Sequence, residues 1–108
     1  MNYKEHPAFY DQGLQNFLLE AGVGIDDAVV SVPDFSPNNT LYLMNRRGWT
    51  NANFGPTEPH KMDQWIKKGL ADFLIIADSS LLNEPDWQWY LRSPQGYYKG
   101  IYVYDIRE

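Results

Sequence analysis

The sequence predicts a small α/β domain, and three features of the chain point to this fold class. Two short apolar runs, 28–32 and 71–78, have the composition of strands that are buried on both faces of a sheet. Apolar residues at helical spacing lie before and between these runs. We therefore expect a three-layer, Rossmann-like, mostly parallel small sheet with helices on both faces. An aromatic and β-branched run at 97–106 predicts a long last strand, which can be an antiparallel edge strand because only a turn precedes it.

The first helix is predicted near the start of the chain. Pro7 suits the first helical turn, and four apolar residues follow at the spacing of one buried helical face: Leu14, Phe17, Leu18 and Ala21. Glycines come directly after this face and are typical of a helix end.

A second helix is predicted after the first strand. Ser36 can cap its start, the apolar segment 41–44 supplies its buried face, and Gly48 ends it. Arg46 and Arg47 would then lie in the last turn, where the helix dipole favours positive side chains. The order strand, loop, helix is that of the first half of a βαβ unit.

The rest of the chain predicts two more helices. Residues 49–59 are rich in proline, glycine and asparagine and form the longest predicted loop, with room for a short extended piece at its start. A third helix follows, capped by Thr57 and ended by Gly69. Apolar spacing predicts one more short helix at 85–92, followed by a turn at 93–96.

Length, charge and composition limit the possible functions. The 108 residues suit a compact unit, so we expect one domain over 1–108. The net charge of -5 lacks the basic surface that nucleic acid or an anionic membrane requires. The longest apolar run, 73–77, is far shorter than the roughly 20 residues of a membrane helix. There is no cysteine, which excludes disulfides and thiolate metal sites.

Polar side chains follow the two predicted buried strands at their carboxyl ends. In an open α/β sheet, ligands bind outside these ends, and we expect Asp34 and Asp78 to lie at the same edge. Together with hydroxyl and amide neighbours they form a candidate substrate-binding set: Asp34, Ser36, Asn38, Asn39, Asp78 and Ser79. The alternative is that these side chains cap helices and satisfy free backbone N–H groups.

Arg46, Arg47 and Trp49 form a second candidate binding group. Two guanidinium groups beside an indole can hold a phosphate or stack on a sugar ring. The alternative is structural, because cations are common in the last turn of a helix.

Catalytic and cofactor chemistry find little support in the sequence. His6 and His60 have no acidic partner at metal-ligand spacing, so neither a metal site nor a histidine-based triad is predicted. No glycine-rich phosphate loop follows a strand, and we therefore expect no nucleotide cofactor. A remaining alternative is a small enzyme that uses Asp34 and Asp78 as an acid–base pair.

Four segments of the chain resemble a known family. They read VVSVPDFSPN at 29–38, LYLMNRRGWT at 41–50, KGLADFLIIAD at 68–78 and GIYVY at 100–104. In order and spacing they resemble the soluble C-terminal region of bacterial polytopic glycosyltransferases related to protein mannosyltransferases and aminoarabinose transferases. The four segments lie within residues 29–104 of the 108-residue chain.

The resemblance implies that a membrane portion of the same polypeptide precedes this domain and transfers sugar from a polyprenyl-phosphate donor. The domain would then lie on the extracytoplasmic, periplasmic face of the membrane. In that family the catalytic acidic residue lies in the membrane portion, so the resemblance assigns no catalytic residue here. It implies a supporting role in binding a lipid-linked sugar or a glycan acceptor near Asp34, Asn38, Arg46, Arg47 and Trp49.

Aromatic residues support an alternative function, a free-standing module that binds a carbohydrate or a protein. Flat amphipathic rings suit both partners, although packing against a two-sided strand is another use for them. The residues concerned are Trp87, Trp89, Tyr97, Tyr98, Tyr102 and Tyr104.

Overall fold

The computed structural model of the protein describes residues 7–34, 39–50 and 59–107. His6, Ser36, Asn38 and the predicted helix cap Thr57 lie outside the described residues. Within these ranges the chain forms a mixed α/β fold, as the sequence predicted, and its sheet has five strands.

The predicted first helix is split into two pieces. A 3-10 helix at Pro7–Tyr10 comes first, and α1 follows at Leu14–Glu20. The Asp11 carboxylate accepts a hydrogen bond from the Gly13 backbone N–H at 2.8 Å, and this local bond competes with helical hydrogen bonding between the pieces. The predicted inner face of α1 is confirmed by the burial of Leu14, Leu18 and Ala21.

The sheet contains five strands in the order β2-β1-β3-β5-β4. Their bounds are Ala28–Val32 for β1, Arg47–Thr50 for β2, Phe73–Ile76 for β3, Pro94–Tyr98 for β4 and Ile101–Asp105 for β5. β1 pairs in parallel with β2 and β3, while β5 pairs antiparallel with β3 and β4. Every residue of β1 and β3 is buried, which confirms the prediction from their apolar composition.

The C-terminal segment forms a β-hairpin in place of the single long strand that the sequence predicted. β4 and β5 are joined by Lys99 and Gly100, whose φ angles are both positive, 47° and 94°. Two consecutive residues of this kind make a tight turn that matches the twist of a two-stranded ribbon. The prediction was wrong because Lys99-Gly100 lacks the asparagine or aspartate that usually marks such a turn. The antiparallel edge strand is therefore β4, and β5 lies inside the sheet.

The second helix, α2, spans Asn39–Met44 and ends earlier than predicted. Asn45 follows in the left-handed conformation with φ 55°. The N–H groups of Asn45 and Arg46 each bond back to a carbonyl of the last turn at 3.0 Å, which is the Schellman motif of a helix end. The prediction that Arg46 and Arg47 lie in a last helical turn is therefore wrong, and Gly48 lies in β2.

The helix predicted to end at Gly69 and the helix predicted at 85–92 are confirmed in position, but both consist largely of 3-10 helix. A 3-10 helix at Pro59–Met62 leads into α3 at Asp63–Lys67, and Gly69 follows with φ 69°. Two further 3-10 helices lie at Ser79–Asn83 and Pro85–Leu91. Short connecting helices commonly adopt this tighter form.

Apolar side chains pack into two clusters on the two faces of the central strands. Alternate strand residues such as Val29 and Ile75 pack with α1 and α2. The residues between them, such as Val30 and Leu74, pack with α3 and with the segment Pro85–Leu91. Because successive side chains of a strand point to opposite faces, both faces of β1 and β3 are covered.

β2 approaches β1 very closely at Gly48. Its φ is 149°, and a Cβ added there would lie 1.7 Å from the Val29 carbonyl oxygen. The backbone of β1 cannot move aside, because β1 is held between β2 and β3. Only glycine therefore fits this position.

We expect Gly48→Ala to lower the free energy of unfolding by about 3 kcal/mol or more, because the new Cβ would displace the β1 backbone. Gly69→Ala is the matched control, since its φ of 69° also disfavours alanine but no atom of the described residues lies within 4 Å of the added Cβ. The control should cost about 1 to 2 kcal/mol. Urea unfolding followed by tryptophan fluorescence measures both variants, and equal losses would contradict the close approach of β2 to β1.

The Asp11 carboxylate ties the start of α1 to the hairpin turn. It accepts hydrogen bonds from the Lys99 ammonium at 2.5 Å, from the Tyr98 hydroxyl and from the Gly13 N–H. The bond from Lys99 has the largest effect on Asp11, the bond from Tyr98 the next largest, and together with the Gly13 N–H they lower its pKa to about 2.

We expect this tie to make stability depend on pH in the acidic range. Because the pKa of Asp11 is lower in the folded chain, its contribution is fully present above the unfolded value of 3.8 and is lost as the pH falls toward 2. Lys99→Gln should raise the pKa of Asp11 toward 3.8 and flatten this part of the stability curve. NMR titration of the Asp11 carboxyl carbon measures the pKa directly. An unchanged pKa in the variant would contradict the tie.

Candidate functional site

An open groove lies beside α2 and the start of β2, and we name it the Tyr42 groove. Its volume is about 600 Å³. Its walls come from the turn before β1, from α2 and from β2, and its lining residues include Ile25, Asp26, Tyr42, Asn45, Arg46 and Arg47. Tyr42 is 80% exposed, so the groove offers an aromatic ring to solvent.

Arg46 lines this groove but is itself only 6% exposed. Its Nη1 donates to the Met44 carbonyl at 2.8 Å and to the Gln15 side-chain oxygen at 3.0 Å, and its Nη2 donates to the Val23 carbonyl at 3.1 Å. Its Nε is buried without a hydrogen-bond partner among the described residues. Burial lowers the pKa of Arg46, and the attraction of Asp27 opposes that shift. The group nevertheless stays charged, because arginine does not lose its proton in proteins.

Arg47 is exposed and borders the same groove. Its Nε and Nη2 donate to the Asp26 backbone carbonyl at 3.3 and 3.0 Å. Within the described ranges its guanidinium forms no ion pair, and its Nη1 has no hydrogen-bond partner. The groove therefore holds two guanidinium groups that form no hydrogen bond with a carboxylate of the described residues.

Asp34, at the end of β1, has an exposure of 0%. Its Oδ2 accepts hydrogen bonds from the Thr40 N–H at 2.8 Å and from the Thr40 hydroxyl at 2.6 Å. Because the Thr40 hydroxyl donates its proton to the carboxylate, its oxygen accepts from the Ser31 hydroxyl, which lies 2.7 Å away. The three side chains join the start of α2 to β1, which is the capping role that the sequence left as the alternative to ligand binding.

Asp78 lies beyond the end of β3, and Asp34 lies beyond the end of β1. Because Val32 pairs with Ile76, the two carboxylates follow neighbouring strand ends, as predicted. Asp78 is exposed, and its Oδ1 accepts a hydrogen bond from the Ser80 N–H at 2.9 Å. It therefore caps the 3-10 helix that follows β3.

The arrangement gives no support to an acid–base pair of Asp34 and Asp78. A general acid or base must reach its substrate, and Asp34 is closed off from solvent. Asn39 and Ser79 open α2 and the helix after β3, so they lie near the same edge of the sheet. The described members of the predicted polar set thus gather at one edge, where both carboxylates bind helix starts.

The two predicted binding groups lie at opposite ends of the parallel strands. Arg47 pairs with Ala28 at the start of β1, whereas Asp34 comes after Val32 at its end. The extended chain from Ala28 to Val32 spans about 13 Å. Arg46 and Arg47 therefore do not join Asp34 in one site.

Trp49 lies away from the Tyr42 groove. Its ring stacks on the ring of Trp65, with centroids 4.6 Å apart, on the face of the sheet that α3 covers. One face of the Trp49 indole is therefore occupied by another side chain.

The predicted aromatic surface is smaller than the sequence suggested. Trp87 and Tyr104 are buried, Tyr98 and Tyr102 are half-buried, and Trp89 and Tyr97 are 62% and 60% exposed. Trp87 and Tyr104 thus show the alternative use, packing, because they belong to the apolar cluster beneath the Pro85–Leu91 helix. Tyr97 contacts Tyr102 edge-on at a centroid distance of 4.8 Å.

A second, narrower cleft lies between α3, the Pro85–Leu91 helix and the end of β5, and we name it the Trp89 cleft. Its volume is about 130 Å³, and its lining includes Asp63, Trp89, Tyr90, Arg92, Asp105 and Arg107. Sequence reasoning missed this cleft because its residues come from separate segments that share no motif. The available signal was the spacing of the predicted helix 85–92, which puts Trp89 off its buried face.

In the described ranges, no group of three or more histidine or acidic residues has the arrangement of a metal site. His60 is exposed on the 3-10 helix Pro59–Met62. Among the described helices, none has the length and apolar character needed to cross a bilayer.

Comparisons with known proteins gave no match to this chain. No protein family, no curated protein and no solved structure shows significant similarity to it. The resemblance of the four sequence segments therefore stays a prediction, and function has to be inferred from the sites themselves.

We expect Thr40→Val to lower the free energy of unfolding by about 2 kcal/mol, because it keeps the side-chain shape but removes the hydroxyl that bonds to buried Asp34. Asp78→Ala removes a cap at the exposed end of β3 and should cost about 1 kcal/mol. Urea unfolding at neutral pH compares the two variants. A loss below about 0.5 kcal/mol for Thr40→Val would contradict the structural role of Asp34.

Proposed function

We propose that this domain is a soluble, non-catalytic part of a membrane glycosyltransferase that uses a polyprenyl-phosphate-linked sugar donor. In this proposal the Tyr42 groove holds the sugar phosphate of the donor or a glycan acceptor. The binding proposal rests on Arg46 and Arg47, which line one groove and have no carboxylate contact among the residues that the structure describes. The exposed ring of Tyr42 lies beside them.

A phosphate group fits the charges of the groove. An exposed guanidinium such as that of Arg47 binds phosphate oxygens through charge-assisted hydrogen bonds. Arg46 is buried, and its charge has no ion-pair partner among the described residues. An anion in the groove would therefore gain a direct contact with Arg47 and a longer-range attraction to Arg46 that water screens poorly.

A sugar ring fits the remaining wall of the groove. Tyr42 offers a flat ring on which the apolar face of a sugar can stack. The Asn45 amide and the Asp26 carboxylate line the same groove and can bond to hydroxyl groups. The groove thus combines recognition elements for both parts of a phosphorylated sugar.

The glycosyltransferase part of the proposal rests on the resemblance at 29–38, 41–50, 68–78 and 100–104. In such a protein the domain lies on the extracytoplasmic side and holds a substrate near the catalytic membrane portion. The use of Asp34 and Asp78 as helix caps supports a domain that does not itself catalyse the transfer. The two apolar clusters on opposite faces of the sheet support the finer proposal of a three-layer, Rossmann-like arrangement.

A free-standing module that binds a carbohydrate or a protein through its aromatic residues is the second candidate. The exposure of Trp89 and Tyr97 favours it. The two candidates predict different native polypeptides. A glycosyltransferase is membrane-bound and far heavier than 12.6 kDa, whereas a free-standing module is neither. An immunoblot of fractionated source cells separates them.

The binding proposal predicts that mannose 1-phosphate shifts the backbone amide resonances of the Tyr42 groove in a saturable way. We expect Arg47→Gln to weaken this binding about tenfold, because it removes the charge that contacts the phosphate. Tyr42→Ala should weaken the binding of both mannose 1-phosphate and neutral methyl mannoside. Lys68→Gln removes an exposed cation at the end of α3 and serves as the control with unchanged affinity.

Equal affinities for mannose 1-phosphate and methyl mannoside would contradict a groove that selects phosphate. Loss of binding in Tyr97→Ala but not in Tyr42→Ala would place the ligand on the aromatic residues and favour the second candidate. The amide spectrum of each variant has to match that of the unsubstituted chain, which separates a lost contact from a lost fold.

A further inference from the structure

The Trp89 cleft is separate from the Tyr42 groove and contains two charged groups that form no ion pair within the described residues. Asp105 and Arg107 pair with each other, with Arg107 Nη2 at 2.7 Å from Asp105 Oδ2. Asp63 and Arg92 line the same cleft, yet neither forms an ion pair with any described residue. One anionic and one cationic group therefore share a volume of about 130 Å³ without neutralising each other.

Arg92 is held in place by Trp89. Its Nε donates to the Trp89 carbonyl at 2.9 Å, and its Cζ lies 3.5 Å from the centroid of the Trp89 ring. Stacking on an indole fixes the plane of a guanidinium and leaves its outer edge available for hydrogen bonds. In the described ranges, neither terminal nitrogen of Arg92 has a hydrogen-bond partner. The group is thus a preorganised donor for a carboxylate.

Asp63 is held in place by Tyr90. The Tyr90 hydroxyl donates to Asp63 Oδ1 at 2.5 Å, and Tyr90 is buried. Burial first and the bond to Asp63 second raise the pKa of Tyr90, so the phenol keeps its proton and remains a donor. The other oxygen of Asp63 has no hydrogen-bond partner in the part of the chain that the structure describes. It is an acceptor of fixed orientation for an ammonium group.

We propose that the Trp89 cleft binds a small zwitterion of the α-amino acid class, whose carboxylate pairs with Arg92 and whose ammonium group pairs with Asp63. Such a ligand neutralises both unpaired charges, whereas a neutral sugar leaves both unpaired. Trp89 is 62% exposed, and the part of its ring that Arg92 does not cover can contact the side chain of the ligand. This site shares no lining residue with the Tyr42 groove and does not depend on its proposed function.

Titrations with L-alanine, acetate and methylammonium, followed by amide NMR and calorimetry, separate the contributions of the two charges. L-Alanine should bind about tenfold more tightly than acetate or methylammonium, because only L-alanine meets both partners. Arg92→Gln and Asp63→Asn should each weaken L-alanine binding about tenfold for the same reason. Asp63→Asn keeps an acceptor for the Tyr90 hydroxyl, so this contact of the fold is preserved.

Two control variants change the same charges at exposed positions outside the cleft. Lys68→Gln and Asp86→Asn should leave the affinity for L-alanine unchanged. The absence of saturable shifts at the cleft residues with L-alanine would overturn the proposal, and so would acetate binding as tightly as L-alanine. Saturable binding of N-acetylglucosamine without a response to L-alanine would also overturn it and make the cleft a saccharide site. If one variant fails to fold, the other variant and the ligand comparison in the unsubstituted chain still decide.

Discussion

The Tyr42 groove and its surroundings depend on the hydrogen bonds of the buried Arg46 guanidinium. The Arg46 N–H bonds to the Leu41 carbonyl in the motif that ends α2, which fixes the backbone at this point. The side chain then reaches α1 through Gln15, the segment before β1 through Val23, and the end of α2 through Met44. A charge removed from water needs such polar partners. The side chain that joins these segments also gives the groove its positive charge.

This constraint places the charged groove at an unusual end of the sheet. Open α/β sheets bind ligands outside the carboxyl ends of their strands. Here the carboxyl ends of β1 and β3 are followed by Asp34 and Asp78, whose carboxylates are engaged at helix starts. The cations instead follow the end of α2, where the negative end of the helix dipole favours them. Helix starts engage the carboxylates at one end of the strands, and the end of α2 favours cations at the other end. Only the second of these two ends therefore offers positive charge to an anion.

Structural features that depend on residues close together in the sequence could be predicted. Features that depend on contacts between distant segments could not. The apolar composition of β1 and β3 predicted their burial. Gly48 was interpreted as a helix end because its role, the close approach to Val29, exists only once β2 pairs with β1. The arginine at position 46 suggested phosphate binding. The burial of its side chain could not be predicted, because it depends on hydrogen-bond acceptors from α1 and from the segment before β1. The Trp89 cleft joins Asp63 to Arg92 across the fold, so no local pattern marks it.

A crystal structure of the domain grown with mannose 1-phosphate decides whether the Tyr42 groove binds a sugar phosphate. We expect the phosphate to bond to the Arg47 guanidinium and the sugar ring to lie against Tyr42, with Arg46 still buried beneath the groove. A phosphate bound near Asn39 or Ser79, at the carboxyl ends of β1 and β3, would rule out this role of the groove, and so would an empty groove at saturating ligand.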